Sequence, residues 1–281
     1  GVMTAYAIHE LNAAIIKAEA GTWGPDDAQH AWDEGWAFYH GPDDSGADFD
    51  GCGPYATADK RAGNFGTDNA DGTAAANVAT LAAMNAGLTA MQNEDMQGLL
   101  DARDEVLKNI VIVYSQASVR YASKMTEDLA AGDADDYDKH QAEGHAFFRV
   151  IEAYVADHTD ACYNNQTHGM AYIGASAAAT CDAFTWTQYQ GQGDYMCYNT
   201  VVHMVYAEAT TEEICNGFAS MFPGSGMPGY YADYGASQIV NIFDLSDDGD
   251  TTADYEADIR SYLQPAWNAF GITAEDIGTL Q

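Results

Sequence analysis

Positive charge is the scarcest resource of this chain. Its 281 residues include 10 Lys and Arg against 43 Asp and Glu, a formal net charge of −33. Such a surface has nothing with which to neutralise phosphates, so nucleic acid and anionic membrane are excluded as partners. Long apolar runs are missing too. The longest, Ile110 to Tyr114, falls far short of the roughly 20 residues that a bilayer-spanning helix needs, so no membrane insertion is expected. Cysteine is sparse: Cys52, Cys162, Cys181, Cys197 and Cys215 contain no Cys-x-x-Cys pair and no zinc-like spacing. There is no His-Glu-x-x-His, no Walker loop and no nucleophile elbow. Gly224-Ser225-Gly226-Met227-Pro228-Gly229 spells a dinucleotide-binding glycine pattern. No strand pattern precedes it and Pro228 interrupts it, so it is read as a loop.

What remains is a folded, acidic body. Hydrophobic residues make up 47% and aromatics 12%, too much for a disordered acidic tail. Short carboxylates favour hard cations, which makes metal ions the natural partners. The same acidity also fits a protein hydrated for a saline habitat. The Asn165-Gln166-Thr167 sequon lies just past Cys162, and four of the five cysteines crowd into residues 162–215. Glycosylation at Asn165 and disulfides among these cysteines, with one thiol left over, point to a secreted, periplasmic or cell-surface address.

Apolar spacing predicts a mostly α fold. Helices are expected at Thr4–Ala20, Pro25–His40, Ala74–Asn93, Glu94–Ala131, Ala134–His158, Thr200–Phe222 and Thr252–Ala269. Residues 41–73, rich in Gly and Asp, read as a long irregular excursion. Only short helices are expected over 159–200, because the alternation of a sheet is missing. The expected division is a helical bundle over residues 1–158, built from two related helix pairs, and a Cys-containing helical part over 159–281 packing on the same bundle.

The relation between the pairs is a repeat. Glu34-Gly35-Trp36-Ala37-Phe38-Tyr39 and Glu143-Gly144-His145-Ala146-Phe147-Phe148 share a Glu-Gly-x-Ala-Phe-aromatic core 109 residues apart. His140, Glu143, Phe147, Val150 and Tyr154 form one helical stripe, and Glu34 shares a stripe with Ala31 and Phe38. Both glutamates are therefore expected to face inward, where a carboxylate must be paired, protonated or bound to a metal. Two explanations stand open. Either the pair ligates a metal together with His9, Glu10 and His140, or each accepts hydrogen bonds from neighbours such as Arg120, Arg149, Tyr114 or Tyr121. A further candidate is the loop Asp244, Ser246, Asp248 and Asp250, with Gly249 between, which follows the first half of a calcium loop. It has Tyr255 where the bidentate Glu belongs, so only a looser calcium site is considered there.

Glu34 to Tyr39, Gln116-Ala117-Ser118-Val119-Arg120-Tyr121-Ala122 and Ala142 to Ile151 together resemble the algal iron-assimilating family, the low-iron-inducible and high-CO2-inducible periplasmic proteins. The match is densest over residues 5–155 and thin beyond Cys162. The resemblance implies a secreted protein that binds or concentrates iron at the cell surface without redox catalysis of its own; the expected cargo is ferric iron, the expected partner a cell-surface iron uptake system, and no enzymatic activity is expected. Ferric iron prefers carboxylate and phenolate oxygen with some imidazole, the set offered by His9, Glu10, Glu34, Glu143 and nearby Tyr side chains. A more distant likeness is to imelysin-type helical bundles, which carry His-x-x-Glu on a helix; here Asn12 stands three residues after His9. The rival expectations are a calcium-stiffened surface protein that holds no iron and a metal-dependent hydrolase.

Overall fold

A computed structural model describes residues 1–42, 53–159, 161–163, 171–173, 183–188, 191, 193–200, 204–207, 209–219 and 235–281. The protein is mostly helical, and no helix among the described residues is long and apolar enough to cross a membrane. The chain divides into two compact units. One comprises Gly1–Ile151 with Phe270–Gln281 and the other Glu152–Ala269. The division thus falls inside a helix rather than at residue 158, and the last twelve residues belong to the first unit.

The first unit is built from α1 (Val2–Glu19), α2 (Ala28–His40), α3 (Pro54–Phe65), α4 (Ala75–Gln92), α5 (Met96–Ala131), most of α6 (Ala134–Thr159) and the final α10 (Ala274–Ile277). At 36 residues, α5 is the axis of the unit, about 54 Å long at the usual rise per residue. Every residue from Asn109 to Val119 is buried, so this stretch has no solvent face. Its polar members find partners inside the same unit. Ser118 Oγ donates to Tyr114 O at 2.8 Å, and Gln116 Nε2 donates to Thr67 Oγ1 at 3.0 Å and to Ile277 O at 2.9 Å. Asp95 caps the start of α5 by accepting from Gly98 N, and left-handed Gly132 (φ 73) ends it.

α1 and α2 pack as a hairpin whose closest approach is set by glycine. A Cβ at Gly35 would lie 2.9 Å from Leu11 Cδ2 and 3.3 Å from Ala7 O. α2 meets α4 through Trp32, which is 1% exposed and donates from Nε1 to Met84 O at 2.9 Å. The indole lies directly against Gly87, where any Cβ would collide with the ring. The chain end closes against α3, as Thr279 N donates to Phe65 O and Gln281 N to Asn64 O, both at 3.0 Å.

The excursion expected over residues 41–73 therefore contains a helix. Pro54 occupies the first turn of α3, and left-handed Gly66 (φ 67) ends it. The Gly- and Asp-rich surroundings hid a short periodic segment.

The second unit corrects the expectation of a sheet-free chain. β1 (Ala161–Tyr163) pairs antiparallel with β2 (Ala171–Ile173). β3 (Phe184–Gln188), β4 (Tyr195–Asn199) and β5 (Met204–Val205) form an antiparallel three-stranded sheet in that order. Its residues are Thr-, Tyr- and Phe-rich, as pleated surfaces favour. Strands of two to five residues are too short for their alternation to stand out. Within the helix expected over Thr200–Phe222, the described residues form β5 and α7 (Glu212–Ala219); α8 (Gly235–Ile242) and α9 (Tyr255–Ala269) come later. Phe184 stacks on Phe218 at 4.4 Å between ring centroids, tying β3 to α7. The Cys197–Cys215 disulfide, with Cα atoms 5.3 Å apart, fixes β4 to the same helix. Cys52, Cys181 and the Asn165 sequon lie outside the described residues, and Cys162 is placed by its backbone alone.

Candidate functional site

The repeat is real in its burial and misread in its phase. α2 buries Ala28, Trp32, Gly35 and Tyr39, while α6 buries Tyr137, Gln141, Gly144 and Phe148, the same positions displaced by 109 residues. The inward stripe runs through the glycines. Each glutamate lies one residue earlier, about 100° round the helix, and so leaves the core. Glu34 is 47% exposed and pairs with His30, Nε2 to Oε1 at 3.4 Å, across one turn. The expectation of an inward Glu34 is thereby corrected: Phe38, which defined its stripe, is itself only half-buried against Tyr6. Glu143 is half-buried.

The other expected ligands disperse. His9 is 72% exposed and 4.0 Å from the Glu10 carboxylate, on the solvent side of α1. Among the described residues no three His, Cys, Asp or Glu side chains group so as to hold a metal ion. The five expected ligands therefore form no single centre. The Asp-rich loop turns its oxygens on itself. Asp244 accepts from Ser246 N at 3.0 Å and Oγ at 2.8 Å, Asp247 from Gly249 N at 2.9 Å, and Asp250 from Thr252 N at 2.8 Å and Oγ1 at 2.7 Å. The two bonds from Thr252 hold the Asp250 carboxyl below its ordinary value, the backbone one most. These are side-chain turns that order the loop, and the carboxylates of Asp244 and Asp250 point at their own backbone.

What the fold does bring together is a cluster on α3, α5 and α6 around Tyr121. The phenol ring is 8% exposed. Phe147 stacks on it at 5.4 Å with planes 11° apart, and the His140 ring centre lies 6.0 Å away. His140 is held by Asp128, Nδ1 to Oδ2 at 2.6 Å, with both side chains about one-seventh exposed (14% and 13%). A carboxylate on Nδ1 fixes the imidazole and leaves Nε2 as its second ring nitrogen, the arrangement that orients a ligating histidine. Glu143 stands three residues on from His140 on the same face of α6.

Two guanidiniums complete the cluster. Arg61 and Arg120 place their central carbons 5.8 and 5.4 Å from the Tyr121 ring centre, within cation–π range. Arg61 is only 9% exposed, and its Nε and Nη1 have no hydrogen-bond partner. Burial pulls its guanidinium below the ordinary value. The neighbouring Arg120 adds to this, while Tyr121 and Glu143 oppose it.

The chain matches no family model, no curated protein and no solved structure.

A second polar group lies deeper in the same unit and serves packing. Tyr39 OH donates to Asn77 Oδ1 at 2.7 Å, Asn77 Nδ2 donates to Asp59 Oδ1 at 2.8 Å, and Thr4 and Tyr114 share a hydroxyl bond of 2.6 Å. Burial pushes the Tyr39 and Tyr114 phenols up from their usual range. Sequence reasoning reached Arg120, Tyr121, Glu143 and His140. It missed Asp128, which carried no periodic signal of its own, and Arg61, which lay in the stretch read as irregular.

Proposed function

We propose that this protein is a secreted, non-catalytic binding protein that captures ferric iron at the Tyr121 cluster and hands it to a cell-surface uptake system. The supporting observation is His140, whose Nδ1 is engaged by Asp128 and which shares a helix face with Glu143 and a neighbourhood with Tyr121. Imidazole, carboxylate and phenol together make a hard, mixed nitrogen and oxygen donor set suited to the ferric ion. His9, Glu10 and Glu34 take no part, because two of them face water and, among the described residues, none is grouped with a third donor. These three donors are fewer than a ferric ion takes, so water or oxygens arriving with the cargo complete its shell. The strongly acidic exterior raises the local cation concentration, an effect that salt screens.

The test is titration of the full chain with ferric nitrilotriacetate, read as a phenolate-to-iron absorption band. Wild type and a His9→Ala plus Glu34→Ala variant are expected to bind alike. His140→Ala plus Glu143→Ala should weaken binding by about tenfold or more. Equal binding by that second variant, or no band in wild type, overturns the reading.

A further inference from the structure

Only five arginines occur in this acidic chain, and two of them meet over one ring. Elsewhere the distribution follows ordinary rules. Arg103 pairs with Asp104 at 2.7 Å and Arg260 with Glu256 at 2.9 Å. Among the described residues, neither Arg61 nor Arg120 has a carboxylate within ion-pair distance, in a protein with 43 carboxylates to choose from. Two like charges brought together repel, and although Tyr121 takes a hydrogen bond from the Arg61 guanidinium, the buried Nε and Nη1 lose their hydration without return. Burial of this kind is tolerated when something else supplies the acceptors.

From the unmatched donors of Arg61, the adjacent Arg120 and the aromatic walls Tyr121 and Phe147, we infer a binding site for a small monocarboxylate ligand. A planar carboxylate matches guanidinium donors in shape. Charge selects the valence. Around Arg61 itself, Arg61 and Arg120 bring two positive charges and Glu143 returns one negative, so a monoanion neutralises these three groups whereas a dianion overshoots them. The aromatic rings offer an apolar surface for the body of the ligand. The inference stands on the arginines and does not require the iron reading, although both concern the same cluster.

Acetate and propionate are the probes, added to iron-free full-length protein at constant ionic strength. The readout is the shift of the Arg61 Nε–H resonance, assigned by its loss in Arg61→Lys. Saturable shifts are expected for both acids, larger in affinity for propionate, and absent for chloride. Arg120→Gln should weaken binding by about tenfold or more, while Arg103→Gln leaves it unchanged. Glu143→Gln should tighten carboxylate binding and admit phosphate, because the negative counter-charge is gone. His140→Ala should keep the carboxylate response even where it loses iron, which separates the two readings. No saturable shift in wild type overturns the inference, as does phosphate or bicarbonate binding as tightly as propionate. Should Arg120→Gln fail to fold, the wild-type resonance and the Glu143→Gln change decide it.

Discussion

α2 and α6 carry the same motif and bury the same four positions, yet their glutamates meet different fates. On α2, Glu34 stands in water beside His30. On α6, Glu143 is half-sheltered and lies close enough to Arg61 for its charge to be felt there. The local sequence sets which face packs, through Gly35 and Gly144 and the aromatic residues one turn further along. What stands opposite the glutamate decides its chemistry, and that comes from α3 and α5. A repeated motif is thus a statement about packing, and a site arises only where the surroundings of the two copies diverge.

Four measurements sharpen or break this comparison. The largest effects belong to the shared stripe. Trp32→Ala and Phe148→Ala should each lower unfolding stability in urea by about 3–5 kcal/mol, since both side chains are essentially fully buried. A large loss in one copy and none in the other would show that the stripes are not equivalent. Next come the glycines. Gly35→Ala forces a methyl against Leu11 and should cost about 1–3 kcal/mol, and Gly144→Ala should follow it if its stripe packs as closely.

The third concerns pH. The Tyr39 phenol holds its proton more tightly folded than unfolded, so its contribution is fully present below the ordinary phenol value of 10.0 and is lost as pH rises beyond it. Alkaline unfolding monitored by tyrosinate absorbance should begin above that value and move upward in Tyr39→Phe, which has no proton to lose. That variant should still be less stable at neutral pH by about 1–3 kcal/mol, because Asn77 loses its donor. The smallest effect is expected at Glu34. Glu34→Gln should change stability by no more than about 0.5 kcal/mol, as befits an exposed pair. A larger loss would mean that Glu34 is sheltered after all.

The long helices were legible because their apolar residues recur at helical spacing over many turns; the ends of α5 and α6 fall within about two residues of expectation. The phase of α2 and α6 was not legible. A core-facing stripe spans more than 100°, so Phe38 or Phe147 at its margin can stand in for its centre. Glycine scores as neither polar nor greasy, and so the residue that marks closest approach went unnoticed. α3 was lost in low-complexity surroundings, and with it Arg61. The short strands of the second unit carry too few residues for a period of two to register. Of the expected ligands, His140 and Glu143 fall in one cluster, since a single helix carries both; the others depended on the phase that failed.

The hold that Asn64, Phe65 and Gln116 keep on the final twelve residues has a consequence for synthesis. A ribosome that has delivered α1 through α6 has not yet delivered all that the helical unit requires, because the whole of Glu152–Ala269 emerges first. The nascent helices must wait, with Gln116 bonded to Thr67 but not yet to Ile277, until a segment 161 residues downstream arrives to close them.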